Sequence, residues 1–162
     1  MFTASLKNLS AATLTIQRAT QADLPALVQM ESKTQCSPWS LTSFQEELLH
    51  ASSRFLVLCT NQHSTRIQMG YLVTRFLFEE CQVLNFVISF RYQNQGFGQL
   101  LFNHLIELAK HSGIQKMILE VRASNQTAIH LYQKWGFQVI REIPQFYSNA
   151  DTAKQMILFL NS

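Results

Sequence analysis

The chain has 162 residues, of which 47% are hydrophobic and 14% charged, with a formal net charge of +3. That is enough chain for one domain with a full core, and too apolar for a disordered one. The positive charges are scattered and few, which argues against nucleic acid, and no apolar run approaches the ~20 residues of a membrane-spanning helix.

Residues 1–12 are small and polar and read as a disordered lead-in to a single domain over 13–162. The start Met1-Phe2-Thr3-Ala4-Ser5-Leu6-Lys7 lacks the apolar stretch of a signal peptide, so a cytoplasmic location is expected. Leu14-Thr15-Ile16-Gln17-Arg18 reads as a short strand. Thr20 is placed as the N-cap of a helix running to about Lys33, with Asp23 in its first turn. Ser40 is placed as the cap of a second, short helix carrying Phe44, Leu48 and Leu49. Three strand-like runs follow, 54–60, 68–78 and 81–89, joined by short polar segments that predict antiparallel hairpins.

Phe97, Leu100, Leu101, Leu105 and Leu108 then recur at helical spacing and predict a helix over 97–111 with one buried face, ended by Gly113. Residues 117–121 form the next strand. A helix over 126–135 stops at Gly136, and strands 137–143 and 155–160 close the chain. The order β α α β β β α β α β β calls for at least one parallel crossover in a mixed sheet.

The densest chemistry lies where an apolar run, Val83-Leu84-Asn85-Phe86-Val87-Ile88, meets Gln93-Asn94-Gln95-Gly96-Phe97-Gly98 and a helix start. Glycines let a backbone approach a ligand, and the N–H groups of a first helical turn favour negative charge. The segment reads either as a phosphate cradle or as an ordinary tight turn. No Lys-Ser or Lys-Thr follows the glycines, so it is not a nucleoside triphosphate loop. No third glycine sits at dinucleotide spacing, so it is not a nicotinamide fingerprint.

Glu120 interrupts the apolar run Met117-Ile118-Leu119-Glu120-Val121, and a carboxylate in mid-strand needs a reason. It is either a general base or the ion-pair partner of Arg122. Tyr132 lies two helical turns beyond Asn125; it is either a core aromatic or a phenol that protonates a leaving group. Asn125 is placed to cap its helix. Cys36, Cys59 and Cys81 are odd in number and lack Cys-x-x-Cys spacing, and His50, His63, His104, His111 and His130 lack ligand spacing. Neither a disulfide framework nor a metal site is expected.

Together these residues resemble the GNAT acetyltransferases over roughly 14–160, and within that family the bacterial ribosomal-protein-alanine N-acetyltransferases. The residues that carry the resemblance are Ser37-Pro38-Trp39-Ser40, Tyr92-Gln93-Asn94-Gln95-Gly96-Phe97-Gly98, and Leu119 to Asn125 with Leu131-Tyr132 and Gly136-Phe137. The resemblance implies an α/β (α+β) fold, with a mixed, mostly antiparallel sheet of about six or seven strands flanked by about four helices. It implies acetyl-CoA as cofactor. Phe86, Val87 and Ile88 would pair with the pantetheine arm, and Asn94, Gln95, Gly96, Phe97, Gly98 and Gln99 would hold the pyrophosphate. Asn125 would contact the CoA arm.

Glu120 then matches the family's base and Tyr132 its acid, while Pro38, Trp39 and Tyr147 border the acceptor. The implied reaction is direct acetyl transfer to a protein N-terminal α-amine, an N-terminal alanine on a ribosomal protein. Acetylation of a lysine or a small amine is the alternative, as is a non-catalytic acyl-CoA sensor. The chain departs from the family after Phe137. The tyrosine pair followed by proline appears as Phe146-Tyr147-Ser148, and the loop 149–153 is short and carries a single acid.

Overall fold

The computed structural model describes residues 14–35, 37–62 and 65–160. The lead-in 1–12, Cys36 and His63 lie outside the described residues. The elements follow the expected order: β1 (Leu14–Arg18), α1 (Leu24–Thr34), α2 (Leu41–Leu49), β2 (Ser53–Gln62), β3 (Thr65–Leu77), β4 (Glu80–Ile88), α3 (Phe97–His111), β5 (Lys116–Arg122), α4 (Gln126–Lys134), β6 (Gln138–Ile143) and β7 (Ala153–Phe159). The strands form one seven-stranded sheet in the order β1-β2-β3-β4-β5-β7-β6. β1 with β2, β5 with β7, and β6 with β7 are antiparallel, whereas β4 and β5 are parallel, as the chain's passage through α3 requires. β3 and β4 are neighbours joined only by Phe78 and Glu79, a hairpin turn whose Phe78 takes φ +53° and is fully exposed.

The caps are where the residue types place them. Thr20 and Asp23 close a reciprocal capping box in which the Thr20 N–H donates to Asp23 Oδ2 at 2.8 Å. The first turn is a 3-10 turn, Gln21–Asp23, and α1 proper begins beside Pro25, which has no N–H to donate back along a helix. Ser40 accepts from the Ser43 N–H at 3.1 Å and starts α2. Gly113 and Gly136 end α3 and α4 at φ +77° and +93°, the left-handed geometry of a helix stop.

The chain divides into two compact units, Met1–Thr74 with Asn85–Leu105, and Arg75–Leu84 with Ile106–Ser162. The first unit packs Leu24, Leu27, Phe44, Leu58, Met69, Tyr71, Leu101 and Phe102, all fully buried. Phe44 is its aromatic hub, with ring centroids 5.5 Å from Trp39, 5.9 Å from Phe55 and 5.5 Å from Tyr71. The second unit buries Cys81, Met117, Leu119, Val121, Ile129, Phe137 and Met156.

The stripe of α3 is rotated from the expected one. Leu100 is 41% exposed and His104 faces solvent, while Phe102 and Ala109 are fully buried beside Phe97, Leu101 and Leu105. Cys59 and Cys81 are buried and in no disulfide, and burial raises the pKa of Cys59 even though the Arg66 guanidinium donates to its sulfur at 3.2 Å. Among the described residues no helix is long and apolar enough to cross a membrane.

Candidate active site

Of the residues expected to hold the cofactor, Phe86 to Ile88 and Asn94 to Gln99 lie in the first unit and Asn125 in the second. β4 alternates, so Phe86 and Ile88 share its half-open face while Val87 is buried on the other. The strand end is fixed twice: the Ser89 N–H donates to the Met69 carbonyl at 2.9 Å, and the Gln93 amide donates to the Ile88 carbonyl at 2.8 Å. Gln95 ties the loop further by donating to the Arg91 carbonyl at 2.8 Å.

Asn94 and Gly96 take φ +58° and +87°, which turns the chain into α3. The first backbone bond of that helix is the Leu100 N–H to the Gly96 carbonyl, 3.0 Å, so the first-turn N–H groups precede any acceptor along the helix. A Cβ on Gly98 would lie 3.5 Å from Phe86 Cζ and 3.6 Å from Ile88 Cγ1, so the helix start stands directly over the open face of the strand. Phe86 in turn rests on Phe102, 5.7 Å between centroids.

Gly70 was not anticipated and matters to this strand. A Cβ there would meet the Val87 carbonyl oxygen at 2.7 Å and Ile88 Cδ1 at 2.5 Å, so the backbones of β3 and β4 approach as only glycine permits. Trp39 is half-buried beyond an exposed Ser37 and Pro38, and its backbone N–H donates to Glu31 Oε1 at 3.0 Å.

The expected catalytic residues gather in the second unit. Glu120 lies on the half-open face of β5 and faces Gln155 across the β5–β7 pairing. The Gln155 amide donates to Glu120 Oε1 at 2.7 Å. Its strand neighbour Arg122 pairs with Asp151 at 2.5 Å. Arg122 also donates to Asn149 Oδ1 at 3.0 Å and lies 3.9 Å from the Tyr147 ring centroid. It thereby holds the short loop after β6, which the Phe146 N–H closes onto the Asp151 carbonyl at 3.0 Å.

Tyr132 packs edge-on against Trp135 and Phe137, with centroids 5.8 and 5.7 Å away. Enclosure of its phenol, and then the Tyr147 phenol beside it, push its pKa well above the ordinary tyrosine value. Tyr147 is also raised, first by burial and further by the Glu120 and Asp151 carboxylates, with Arg122 opposing. Tyr147 therefore lies within the electrostatic reach of both Tyr132 and Glu120. Asn125 caps α4, accepting from the Ala128 N–H at 3.1 Å.

These phenols set an alkaline limit on the fold. Tyr71, Tyr132 and Tyr147 all have raised folded-state values, so the unfolded chain ionises first, near pH ~10. Their contribution is complete below that pH and is lost as pH rises toward the folded-state values. The urea midpoint is expected to fall between pH 9 and 11, with a shallower slope for Tyr71→Phe. An identical slope for that variant would remove Tyr71 from this effect.

The sequence profile of the Acetyltransferase (GNAT) family matches residues 17–137. The chain belongs to that family. It is 30% identical over 144 residues to the [ribosomal protein bS18]-alanine N-acetyltransferase of Escherichia coli K12, covering 89% of this chain and 94% of that one. A crystal structure of the ribosomal-protein-S18-alanine N-acetyltransferase from E. coli superposes with a TM-score of 0.81 at 28% identity, over 93% of this chain and 96% of that one. Ard1 from Thermoplasma volcanium shares the fold, with a TM-score of 0.82 at 21% identity over 92% and 99% of the two chains.

The acetyl donor of a GNAT acetyltransferase is acetyl-CoA. The loop 94–99 fits such a ligand: its positive-φ turn and the first-turn N–H groups of a fifteen-residue helix present donors and a positive dipole end to a pyrophosphate. The half-open face of Phe86 and Ile88 suits the apolar part of a pantetheine arm.

Proposed function

We propose that this acetyltransferase transfers acetyl from acetyl-CoA to the α-amino group of a protein N-terminus, an alanine that begins a ribosomal protein. The observation that carries the reading is the similarity to the E. coli bS18-alanine enzyme over 89% of this chain. In this reading Phe86, Val87 and Ile88 bind the pantetheine arm, Asn94 to Gln99 hold the pyrophosphate, and Asn125 contacts the CoA arm. Pro38, Trp39 and Tyr147 border the acceptor. The setting is the cytoplasm, where ribosomal proteins are made.

The residue types suit the chemistry. An amine must lose its proton before it attacks a thioester carbonyl, and a protein α-amine has a pKa of about 7.7–8.0 against about 10.4 for lysine. A carboxylate at Glu120, directly or through water, accepts that proton near neutral pH. A backbone N–H of the 86–88 strand meets the developing oxyanion. Tyr132, whose enclosed phenol resists ionisation, stays protonated and donates to the departing CoA thiolate. Tyr132→Phe is expected to lower kcat more than it alters the acceptor KM; a pure KM effect would make it a binding residue.

The test is release of the CoA thiol with two peptides. One carries a free N-terminal Ala followed by a basic sequence; the other has a blocked N-terminus and one free internal lysine. Release with the first alone supports the reading. Release with the second alone makes the protein a lysine acetyltransferase. Release with neither, despite acetyl-CoA binding, leaves a small-amine acceptor or a sensor.

A further inference from the structure

Glu31 is the most anomalous charge in the first unit. Its side chain projects from α1 and is only 1% exposed. Three donors from three separate segments converge on it. The Trp39 backbone N–H reaches Oε1 at 3.0 Å, the Asn85 amide reaches Oε1 at 2.9 Å, and the Tyr71 hydroxyl donates to Oε2. Among the described residues no Lys, Arg or His forms an ion pair with it. A carboxylate buried without a cation persists only where its hydrogen bonds are made in full, and an apolar side chain would fill the same space without that demand.

What the carboxylate adds is direction. Its acceptor sites bind the chain 8 and 54 residues away at fixed angles. One anchor is Trp39, on the turn that follows α1. The other is Asn85, the residue before Phe86 on β4. The aromatic contacts run in parallel, because Trp39 and Tyr71 both pack on Phe44.

We propose that Glu31 is a positioning residue whose buried carboxylate holds the Ser37–Trp39 turn in register with the donor strand β4 and thereby sets acceptor affinity. This rests on the reading above that Pro38 and Trp39 border the acceptor. Glu31 touches no reacting atom in this scheme, so its loss acts through the turn.

The test uses Glu31→Gln, which keeps size and an acceptor oxygen but not the charge, in the full-length enzyme with acetyl-CoA and the N-terminal Ala peptide. The acceptor KM is expected to rise about tenfold, with kcat and the acetyl-CoA KM within about twofold of the parent. Amide exchange over 37–40 is expected to quicken while exchange in α3 is unchanged. If Glu31→Gln does not fold, Asn85→Ala loosens the same tether with the carboxylate in place and is expected to move the same two readouts, less far. An unchanged acceptor KM overturns the proposal. So does a fall in activity that merely tracks the folded fraction. Should the parent enzyme acetylate no peptide N-terminus, the functional reading fails on its own, and the exchange comparison still decides whether Glu31 holds the turn; unchanged exchange there rejects it.

Discussion

Glu120→Gln is expected to bind acetyl-CoA as the parent does and to turn over more slowly by ~10²–10⁴-fold. The substitution is nearly isosteric, and a glutamine carbonyl can still accept from the Gln155 amide that now bonds Glu120 Oε1 at 2.7 Å. The geometry of β5 against β7 is therefore preserved while the proton acceptor is removed. The deficit is expected to narrow above pH ~8, where an α-amine is already deprotonated in solution. Single-turnover rates from pH 6 to 9.5, beside calorimetric titration with acetyl-CoA, measure both halves of the claim. Equal rates across that range would take Glu120 out of the mechanism and leave it as a cross-strand partner of Gln155.

The second large effect is expected at a residue with no chemistry of its own. Gly70→Ala places a methyl carbon 2.5 Å from Ile88 Cδ1 and 2.7 Å from the Val87 carbonyl oxygen. The end of the isoleucine can swing aside, but the carbonyl is part of the strand and moves only if β4 moves. Overpacking of this kind costs about 1–3 kcal/mol. Because the displaced segment is 86–88, acetyl-CoA affinity is expected to fall along with the urea midpoint. A variant that keeps both would show that β4 has slack at its C-terminal end, and that the close approach is incidental to cofactor binding.

Much of this was open to reading along the chain. Apolar, strand-like runs marked β4 and β5, Thr20, Ser40 and Asn125 declared their caps, and Gly113 and Gly136 declared the helix ends. What could not be read was contact across long separations. Glu120 meets Gln155, 35 residues on, because β7 rather than β6 lies beside β5. Arg122 likewise meets Asp151, 29 residues on. In α3 the apolar spacing admitted Leu100 to the buried face, yet which side is covered depends on what packs there, and Phe102 was taken instead. Asn85 was within reach: it interrupts an apolar strand as Glu120 does, and the same demand for a reason leads to Glu31.

The sealed thiols bear on how turnover can be counted. Each transfer frees one sulfhydryl on CoA, and Cys59 and Cys81 lie 1% and 0% exposed, with the Cys59 thiol held back further from ionising. Neither offers a thiolate to intercept the acetyl group or to consume a colorimetric thiol reagent while the fold is intact. For these two side chains the background stays silent while the fold is intact.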